Sequence, residues 1–287
     1  MSDQSVIRVH VLGCGSSGGV PRIDGDWGSC DPNNPRNRRT RCSILLERAS
    51  DLTQLESGVA TRLLVDTSPD LRHQMLSVGV TSIDGVAFTH THADQCHGID
   101  DVRAFVYQRR AQLPAFASPE TVADLNARFG YIFQTPEGSL YPPLLMMASV
   151  PSEGSFQVEG PGGTLQGSIF DVEHGDAPCS GFRFGPLAYT PDVNRLDDIA
   201  RAHIRGASAW IVDALRPKPH PSHAHLAMTL DWIGEMEPTL GVLTNLHVDM
   251  DYESLVGTLP NGVRPAYDCL SITLKEQSGG LVAVDRL

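Results

Sequence analysis

The sequence has few cysteines, no long apolar run and no excess of basic residues, and each absence excludes a class of protein. Its six cysteines are scattered without a CxxC pair, which argues against a disulfide framework and favours a reducing compartment. No apolar run approaches the roughly 20 residues that a membrane-spanning helix needs. The first residues also lack the basic region and apolar core of a secretion signal. We therefore expect a cytoplasmic protein with no membrane segment.

The charge balance is acidic. The chain has 34 Asp and Glu against 22 Lys and Arg, which gives a formal net charge of −12. Proteins that bind long nucleic acid or anionic membranes electrostatically are normally basic, because the phosphates they neutralise are negative. Long nucleic acid is therefore disfavoured as a partner.

The chain does have enough apolar sequence for a large core. It contains 287 residues, of which 41% are hydrophobic and 20% charged, as is ordinary for a soluble globular protein. No internal repeat, low-complexity tract or linker divides it, so we expect one domain over residues 1–287. A homodimer is compatible with this composition.

Short runs rich in Val, Ile and Leu alternate with helical patterns along the chain. Residues 6–12 alternate as a strand does, whereas 119–130 and 226–236 have helical spacing. Ser118 supplies a cap for the first of these helices. Strands that alternate with helices predict an α/β layered fold, and a β-rich section lies at 144–190.

The most informative motif is His90-Thr91-His92-Ala93-Asp94, which directly follows a short apolar strand. Alternate residues at the end of an extended segment point the same way, so His90 and His92 can address one point, with Asp94 two residues on. Two imidazoles and a carboxylate form a donor set suited to zinc, manganese or iron. A lone HxH pair could instead belong to a solvated polar loop. The apolar strand directly before His90 favours a metal site over that alternative.

Further acidic and imidazole groups lie just past the ends of other predicted strands, where open α/β sheets place their sites. Their arrival from separate parts of the chain strengthens the case for a divalent-metal site. These residues are Asp66, His174, Asp192, His223, His225 and His247.

This pattern resembles the motif of the metallo-β-lactamase superfamily of metallohydrolases: a strand ending in Asp, then HxHxDH, a later His, a later Asp and a last His. Residues 92–103, HADQCHGIDDVR, are similar to the extended motif HADHxHGIDDLR of its phosphodiesterase branch. That branch includes the phosphoribosyl cyclic phosphodiesterase of phosphonate breakdown. The resemblance covers essentially the whole chain. It implies a four-layer αβ/βα sandwich of the α/β (α+β) class, with two mixed sheets and outer helices.

The resemblance also implies the metal ligands. His90, His92 and His174 would hold one metal. Asp192 would bridge to a second metal, which Asp94 would also bind.

The catalytic roles follow from the same resemblance. Asp66 would lie behind the metals and orient their ligands. His223 matches a histidine placed near the leaving group, where it would act as a general acid. The catalytic assignments are therefore Asp94, His223 and Asp66.

The sequence differs from the family motif at two positions, both of which would supply ligands to the second metal. Gln95 stands where the family has His, and Asn245 follows Leu-Thr where the last metal histidine belongs. An amide oxygen is a weaker zinc ligand than an imidazole, although harder ions such as manganese accept it. We assign the last metal position to His247, with His97 as an alternative. The expected cofactor is one or two divalent ions per chain, zinc or manganese, with iron as a further option.

An arginine-rich loop indicates the charge of the substrate. Residues 36–41 contain four arginines in an otherwise acidic chain, and the arginine fork matches pairs of phosphate oxygens. A solvated basic loop that pairs with surplus carboxylates is the alternative. We assign substrate binding to Arg39, Arg41 and His225. We expect a metal-dependent hydrolase that acts on a small cyclic or nucleotide-like phosphodiester.

Other functions remain open on the same fold. A mononuclear metal centre would suit a thioesterase, a lactonase or an iron oxygenase. A transfer-RNA processing nuclease is disfavoured by the net charge and by the lack of a basic clamp. A protein that binds a nucleotide or metal without turnover is the non-enzymatic alternative, because Gln95 and Asn245 weaken the site.

Overall fold

A computed structural model describes the chain from residue 4 to residue 286, with side chains described up to residue 284. Residues 1–3 and 287, which the single-domain prediction includes, lie outside the described residues. The strands of the described part, in chain order, are β1 (Val6–Gly13), β2 (Ser43–Ala49), β3 (Thr61–Val65), β4 (Gly85–Ala87), β5 (Leu113–Ala117), β6 (Leu145–Ser149), β7 (Ser155–Val158), β8 (Leu165–His174), β9 (Ala177–Phe184), β10 (Leu187–Thr190), β11 (Ala209–Asp213), β12 (Leu240–Thr244), β13 (Val263–Pro265), β14 (Leu270–Lys275) and β15 (Leu281–Arg286).

Helices connect many of these strands. They are α1 (Leu52–Glu56), α2 (Leu71–Val78), α3 (Ala93–Cys96), α4 (Arg103–Arg109), α5 (Pro119–Phe133), α6 (Asp198–Ile204), α7 (Leu226–Met236) and α8 (Tyr252–Val256), with short 3-10 turns at Pro35–Asn37 and Ile99–Val102. Within the described residues, no helix has the length and hydropathy needed to cross a membrane.

The strands form two mixed sheets. The first has the order β15-β14-β1-β2-β3-β4-β5-β6 and is parallel from β3 to β6. The second has the order β13-β12-β11-β10-β9-β8-β7 and is parallel from β13 to β10. The remaining pairs are antiparallel. Each sheet therefore has a parallel half whose strands end at the same edge.

The main core lies between the two sheets. On β1, Ile7 and Val9 are fully buried in this core, and on β11 Ile211 joins them from the other sheet. The neighbouring Trp210 and Val212 belong to a separate cluster on the outer face. This alternation follows from the two-residue period of a strand, which sends successive side chains to opposite faces.

Helices cover both outer faces. Leu64 of β3 packs with Leu71 and Met75 of α2 on one side. Trp210 of β11 packs with Trp232 of α7 on the other. The molecule is therefore a four-layer αβ/βα sandwich, which confirms the expected fold.

The helix limits follow the expectations closely. The helix expected at 226–236 is α7, with the same bounds. The helix expected at 119–130 is α5, which begins at the proline after its Ser118 cap, has a kink at Phe129 and ends at Phe133. The extension is stabilised by packing, because Ile132 and Phe133 join the outer apolar cluster of the first sheet.

The long segment between β1 and β2 is tied to the body of the protein at Asp268. The Asp268 carboxylate accepts hydrogen bonds from the Cys14 N–H (3.2 Å), the Thr40 N–H (2.7 Å) and the Thr40 hydroxyl (2.6 Å). Burial raises the pKa of Asp268 to about 6, although these hydrogen bonds act in the opposite direction. The anchored segment forms one wall of the cavity described below.

Candidate metal site and its cavity

The site lies where the strands of both sheets end. On the second sheet, parallel pairing aligns Asp213 of β11 with Thr244 of β12. Asn245 follows β12 directly, and Asp192 follows β10, the other neighbour of β11. The topology alone therefore places these polar residues side by side at one sheet edge, as open parallel sheets do.

Three histidines form the group best suited to a metal. One ligand nitrogen from each of His90, His92 and His174 lies within 4.8 Å of the others. The His174 Nε2 and His92 Nδ1 atoms are 3.2 Å apart. Tetrahedral zinc binds imidazole nitrogens at about 2.0–2.1 Å, which places neighbouring ligand atoms about 3.3 Å apart. The spacing of the His92 and His174 nitrogens thus matches that expected around a tetrahedral ion.

Hydrogen bonds orient two of these rings. The His174 Nδ1 atom lies 2.7 Å from the Ser222 carbonyl oxygen and donates to it, which leaves Nε2 with a lone pair. The His90 Nδ1 atom lies 3.0 Å from the Thr89 hydroxyl, which in turn donates to the Asp66 carboxylate at 2.9 Å. The His90 Nε2 atom is buried and has no hydrogen-bond partner. A buried nitrogen left in this way is the atom that a metal would satisfy.

The same surroundings favour the neutral form of His90 and His174, which is the form that binds metal. Burial, reinforced by neighbouring imidazoles, lowers the pKa of His90 well below its usual value. Burial also lowers the pKa of His174 to about 4. Asp66 lies behind the group, fully buried, and burial raises its pKa to about 8 against the hydrogen bonds from Thr89.

Asp192 is held by the two residues that depart from the family motif. The Gln95 Nε2 amide donates to Asp192 Oδ2 at 3.2 Å. The Asn245 Nδ2 amide donates to Asp192 Oδ1 at 3.3 Å. A carboxylate can only accept, so both amides must turn their NH2 groups towards it. Both carboxylate oxygens of Asp192 are therefore hydrogen-bonded to amide groups.

His223 is held by Asp213. The His223 Nδ1 atom lies 2.8 Å from Asp213 Oδ2 and 3.7 Å from Asp192 Oδ1. Burial lowers the pKa of His223, but the hydrogen bond and charge of Asp213 outweigh it and raise the pKa to about 9. With Nδ1 committed to Asp213, Nε2 is the ring atom left for the cavity.

A second metal-capable group among the described residues overlaps the first. His174, Asp192 and His223 also bring one ligand atom each within 4.8 Å of the others. Asp94 lines the same cavity but belongs to neither metal-capable group. His174 is common to both groups, so they describe one cluster rather than two sites.

The structure places His247 and His97 differently from the metal assignment. The His247 Nε2 atom accepts from the Arg22 guanidinium, and its Nδ1 atom lies 3.1 Å from Asp249 Oδ2. Both ring nitrogens are therefore engaged, and His247 is in neither metal-capable group. His97 is exposed and packs edge-on against Phe129.

The residues assigned to substrate binding also lie elsewhere. Arg39 is 2% exposed, and its guanidinium donates to the Met250 carbonyl at 2.7 Å. Arg41 pairs with Asp70, Nε to Oδ2, at 3.0 Å. His225 occupies the position before α7. Arg39 and Arg41 thus anchor their loop through these contacts, and none of the three residues assigned to substrate binding lines the cavity.

Other cationic residues line the cavity instead. The cavity has a volume of about 420 Å³ and contains His92, His174 and His223 in its wall. Arg22 and Arg216 also line it, together with a serine-glycine loop at residues 16–18. The cavity thus contains two guanidinium groups beside the carboxylates of Asp94 and Asp192, in a protein whose formal net charge is −12.

Sequence reasoning missed Asp213, Arg22 and Arg216. Asp213 could have been found, because it ends an apolar strand in the way Asp66 and Asp192 follow theirs. The arginines had no comparable signal, since each stands alone in a loop. Only the fold brings them to one cavity.

Two sheets packed face to face, with histidines and carboxylates where their strand ends meet, define a fold typical of metal-dependent hydrolases. The family model described as Beta-lactamase superfamily domain matches residues 61–245, more than half of the chain. A structure described as a new diphosphatase from the PhnP family is 30% identical, with a TM-score of 0.81, and the match covers 94% of this chain and 97% of that one. The chain therefore belongs to the metallo-β-lactamase superfamily and, within it, to the PhnP-like branch.

More distant structures share the fold. The Zn²⁺-bound PqqB of Methylobacterium extorquens is 18% identical with a TM-score of 0.69, covering 92% of this chain and 99% of that one. The short form of human tRNase Z is 14% identical with a TM-score of 0.60, covering 92% and 98% of the two chains.

A curated relative is longer than this chain. The octanoyltransferase of Porphyromonas gingivalis (strain ATCC BAA-308 / W83) is 30% identical over 279 residues, which are 94% of this chain and 52% of the relative. The chain thus spans about half the length of that protein.

Proposed function

We propose that this protein hydrolyses a small phosphodiester, in the broad sense that includes the diphosphate linkage suggested by its 30% identical relative. One observation carries the proposal. A single cavity is lined by two of the three metal-capable histidines, His92 and His174, and also by His223, a proton donor held by Asp213. Phosphodiester hydrolysis needs both functions at once, because a nucleophile must attack phosphorus while a poor leaving group takes up a proton.

The chain's own residues fit a divalent ion. His90, His92 and His174 would hold it, since their ligand nitrogens already converge and the buried His90 Nε2 lacks another partner. When bound, a divalent ion supplies Lewis acidity and a water nucleophile at neutral pH. Thr89 and Asp66 orient His90, and the Ser222 carbonyl orients His174.

His223 would act on the leaving group. The bond that forms joins a water oxygen to phosphorus, and the bond that breaks joins phosphorus to the departing oxygen. His223 would give its Nε2 proton to that oxygen, while Asp213 stabilises the imidazolium and fixes the tautomer through Nδ1. Asp213 is in this view a positioning residue, and His223 is the catalytic one.

We also propose one metal per chain rather than two. Gln95 and Asn245 present amide hydrogens to Asp192, and these contacts occupy the carboxylate oxygens that would bridge to a second ion. Zinc prefers imidazole nitrogen and thiolate sulfur to amide groups. In place of a second metal, Asp192 would keep its two hydrogen bonds to Gln95 and Asn245, which we call the amide clasp.

The first experiment is metal-dependent turnover. Metal-stripped protein would be repleted with zinc, manganese or iron and assayed with a chromogenic phosphodiester, a dinucleoside diphosphate and an octanoyl thioester. We expect turnover of a phosphoryl substrate that requires a divalent ion and disappears in His92→Ala. His97→Ala is the matched control, because it removes an exposed histidine of the same segment. Hydrolysis of the thioester alone, or inertness with every metal, would overturn the proposal.

A further inference from the structure

We propose that the open edge of β6 pairs with β6 of a second copy of this chain, so that the first sheets of two molecules join into one. The surface consists of that strand edge and of the exposed apolar side chains beside the start of the strand. β6 carries none of the residues that line the metal cavity, so this interface is independent of the proposed function.

The four edges of the two sheets differ in how they are protected from pairing with another chain. An exposed edge presents unpaired N–H and C=O groups, and charged residues, prolines or short strands are the usual protections. The edges are β15 and β6 in the first sheet and β13 and β7 in the second. Three of them have such protection: β13 contains Arg264 and Pro265, β15 has Asp285 and Arg286 in its sequence, and β7 is a strand of 4 residues between Glu153 and Glu159.

β6 lacks these protections. Its sequence, Leu-Met-Met-Ala-Ser, contains no charged residue and no proline, and it pairs with β5 in continuous register from Leu145 to Ser149. The Met146 side chain is 61% exposed, and Ala148 and Ser149 are exposed as well. Within the described residues, no further strand pairs with β6. Its outer edge is therefore open to another chain.

Backbone hydrogen bonds show which groups of β6 face outward. The Leu113 N–H donates to the Leu144 carbonyl at 3.1 Å, and the Val150 N–H donates to the Ala117 carbonyl at 2.9 Å. In a parallel pair, alternate residues of a strand bond to the same neighbour, so the even-numbered residues of this segment face β5. The N–H and C=O groups of residues 145, 147 and 149 therefore point to the open edge.

These outward groups are complementary to those of an identical strand. When two β6 strands run antiparallel about a two-fold axis at Met147, Leu145 of each copy faces Ser149 of the other, and the two Met147 residues face each other. Facing residues of this kind exchange two N–H···O=C hydrogen bonds in each pair. A two-fold contact uses the same surface on both copies and is closed, so it leaves no β6 edge for a third molecule.

The low charge of this part of the molecule favours a second copy as the occupant. Residues 129–158 contain two charged side chains, Glu137 and Glu153, whereas charged residues make up 20% of the chain. Two molecules that each have a formal net charge of −12 repel each other, and the repulsion is weakest where surface charges are sparse. A basic partner, by contrast, would find few carboxylates to bind on this face.

An exposed apolar patch adjoins the start of β6 and adds area to this interface. Tyr131 and Tyr141 line one small cavity, and Tyr107 lines a neighbouring cavity that shares a proline with the first. With Leu140 and Met146, these side chains expose on the order of 500 Å², at about 200 Å² for a whole aromatic side chain. Patches of this size mark interaction surfaces. Together with the backbone of β6, the patch approaches the roughly 800 Å² per partner that a stable dimer buries.

The test is the association state of the 287-residue chain, measured by sedimentation equilibrium over a wide range of concentration. We expect wild type to form a dimer. Met146→Lys should raise the dimer dissociation constant about tenfold or more, because the two-fold axis brings the added charges close together. Ser149→Pro should do the same, since it removes an outward N–H and no bond to β5. Leu76→Lys is the matched control, because Leu76 is 66% exposed on α2, and it should leave the constant unchanged.

Hydrogen exchange locates the contact in wild-type protein without any variant. The amides of residues 145, 147 and 149 should become more protected as the concentration rises through the dissociation constant, whereas those of β13, an edge of the other sheet, should not change. This measurement decides the matter even if a β6 variant fails to fold by circular dichroism. A monomer at every concentration would overturn the proposal. A dimer that folded Met146→Lys and Ser149→Pro leave intact, or one with unprotected β6 amides, would also overturn it by placing the contact elsewhere.

Discussion

Hydrogen bonds from neighbouring residues fix the orientation of individual histidines of the site. His90 leaves Nε2 unpaired because Nδ1 is turned to Thr89, and Thr89 is in turn fixed by Asp66. His223 is turned the same way by Asp213. The orientation of each ring is therefore determined by a carboxylate behind it, which is a common arrangement around metal and acid–base histidines.

The role of His223 predicts a dependence on the leaving group. A general acid matters most when the departing oxygen is a poor leaving group and least when it leaves as a stable anion. We expect His223→Ala to lower kcat about 10²-fold or more for a cyclic nucleotide, and much less for a p-nitrophenyl diester. Asp213→Asn should reproduce the same selectivity more weakly, because the imidazole loses its orienting charge.

The control for this prediction is Asp66→Asn. Asp66 supports a metal-binding histidine rather than the acid, so its loss should affect both substrates alike. Equal losses for both substrates in His223→Ala would remove His223 from the leaving-group step. Steady-state kinetics with the two substrates decides between these results.

The amide clasp on Asp192 predicts the metal stoichiometry. We expect wild-type protein to bind one zinc per chain by elemental analysis after dialysis, because Gln95 and Asn245 donate hydrogens where ligands would be needed. The double variant Gln95→His/Asn245→His should bind two, since imidazole nitrogens replace the amides. Two ions in the wild type, or one in the double variant, would contradict the clasp. The control is Gln95→Ala, which removes one amide without adding a metal ligand and should still bind one ion.

At the scale of elements, the sequence predicts most of the fold, because period and capping are local. The alternation in β1 and the bounds of α7 follow directly from the apolar pattern and from helical spacing. The strand-end positions of His90 and Asp192 follow from the same reasoning. The burial of the Arg39 guanidinium does not follow from local sequence, because it depends on the Met250 carbonyl that a distant loop brings to it. Nor does the placement of His247, which is decided by Arg22, 225 positions away in sequence.

One helix cap ties a loop of the site wall to the body of the protein. Asp251 begins α8 and accepts from the Ser254 N–H at 2.9 Å. It also accepts from the Asp31 N–H at 3.1 Å and from the Asn37 amide at 2.7 Å. Partial burial raises the pKa of Asp251, but these hydrogen bonds outweigh it and lower the pKa to about 2.

We therefore expect Asp251→Ala to cost about 2 kcal/mol in the free energy of unfolding at pH 7, measured by urea denaturation. Asp197→Ala, which removes a single cap bond from α6, should cost about 1 kcal/mol. The folded-state pKa of Asp251 is depressed, so its contribution is complete above pH 4 and is lost as the pH falls towards 2. The difference between wild type and Asp251→Ala should narrow over that interval. A difference that stays constant would mean that the carboxylate charge is not what stabilises the cap.

At the scale of the whole molecule, the site depends on both sheets being docked. His90 follows a strand of the first sheet, whereas His174 and Asp192 come from the second. The ligand atoms can converge only if the apolar core between the sheets is intact. This is the physical reason to propose that the chain unfolds as one domain.

The core between the sheets supplies the test. Phe182 is fully buried there and packs edge-on against Phe156, with ring centroids 6.1 Å apart. We expect Phe182→Ala to lower the free energy of unfolding by about 3–5 kcal/mol, because it leaves a cavity as well as removing apolar contact. Tyr141→Ala, which truncates a ring that is 68% exposed, should change it by less than about 0.5 kcal/mol. In a Trp27→Phe background the remaining tryptophans, Trp210 and Trp232, report on the second sheet and its helix, whereas far-ultraviolet circular dichroism reports on both sheets. If the sheets form one cooperative unit, the two signals must change at the same urea concentration in that background and move together when Phe182→Ala is added. Fluorescence that changes before the circular dichroism would show that the second sheet unfolds separately, and the metal site would then be lost before the fold.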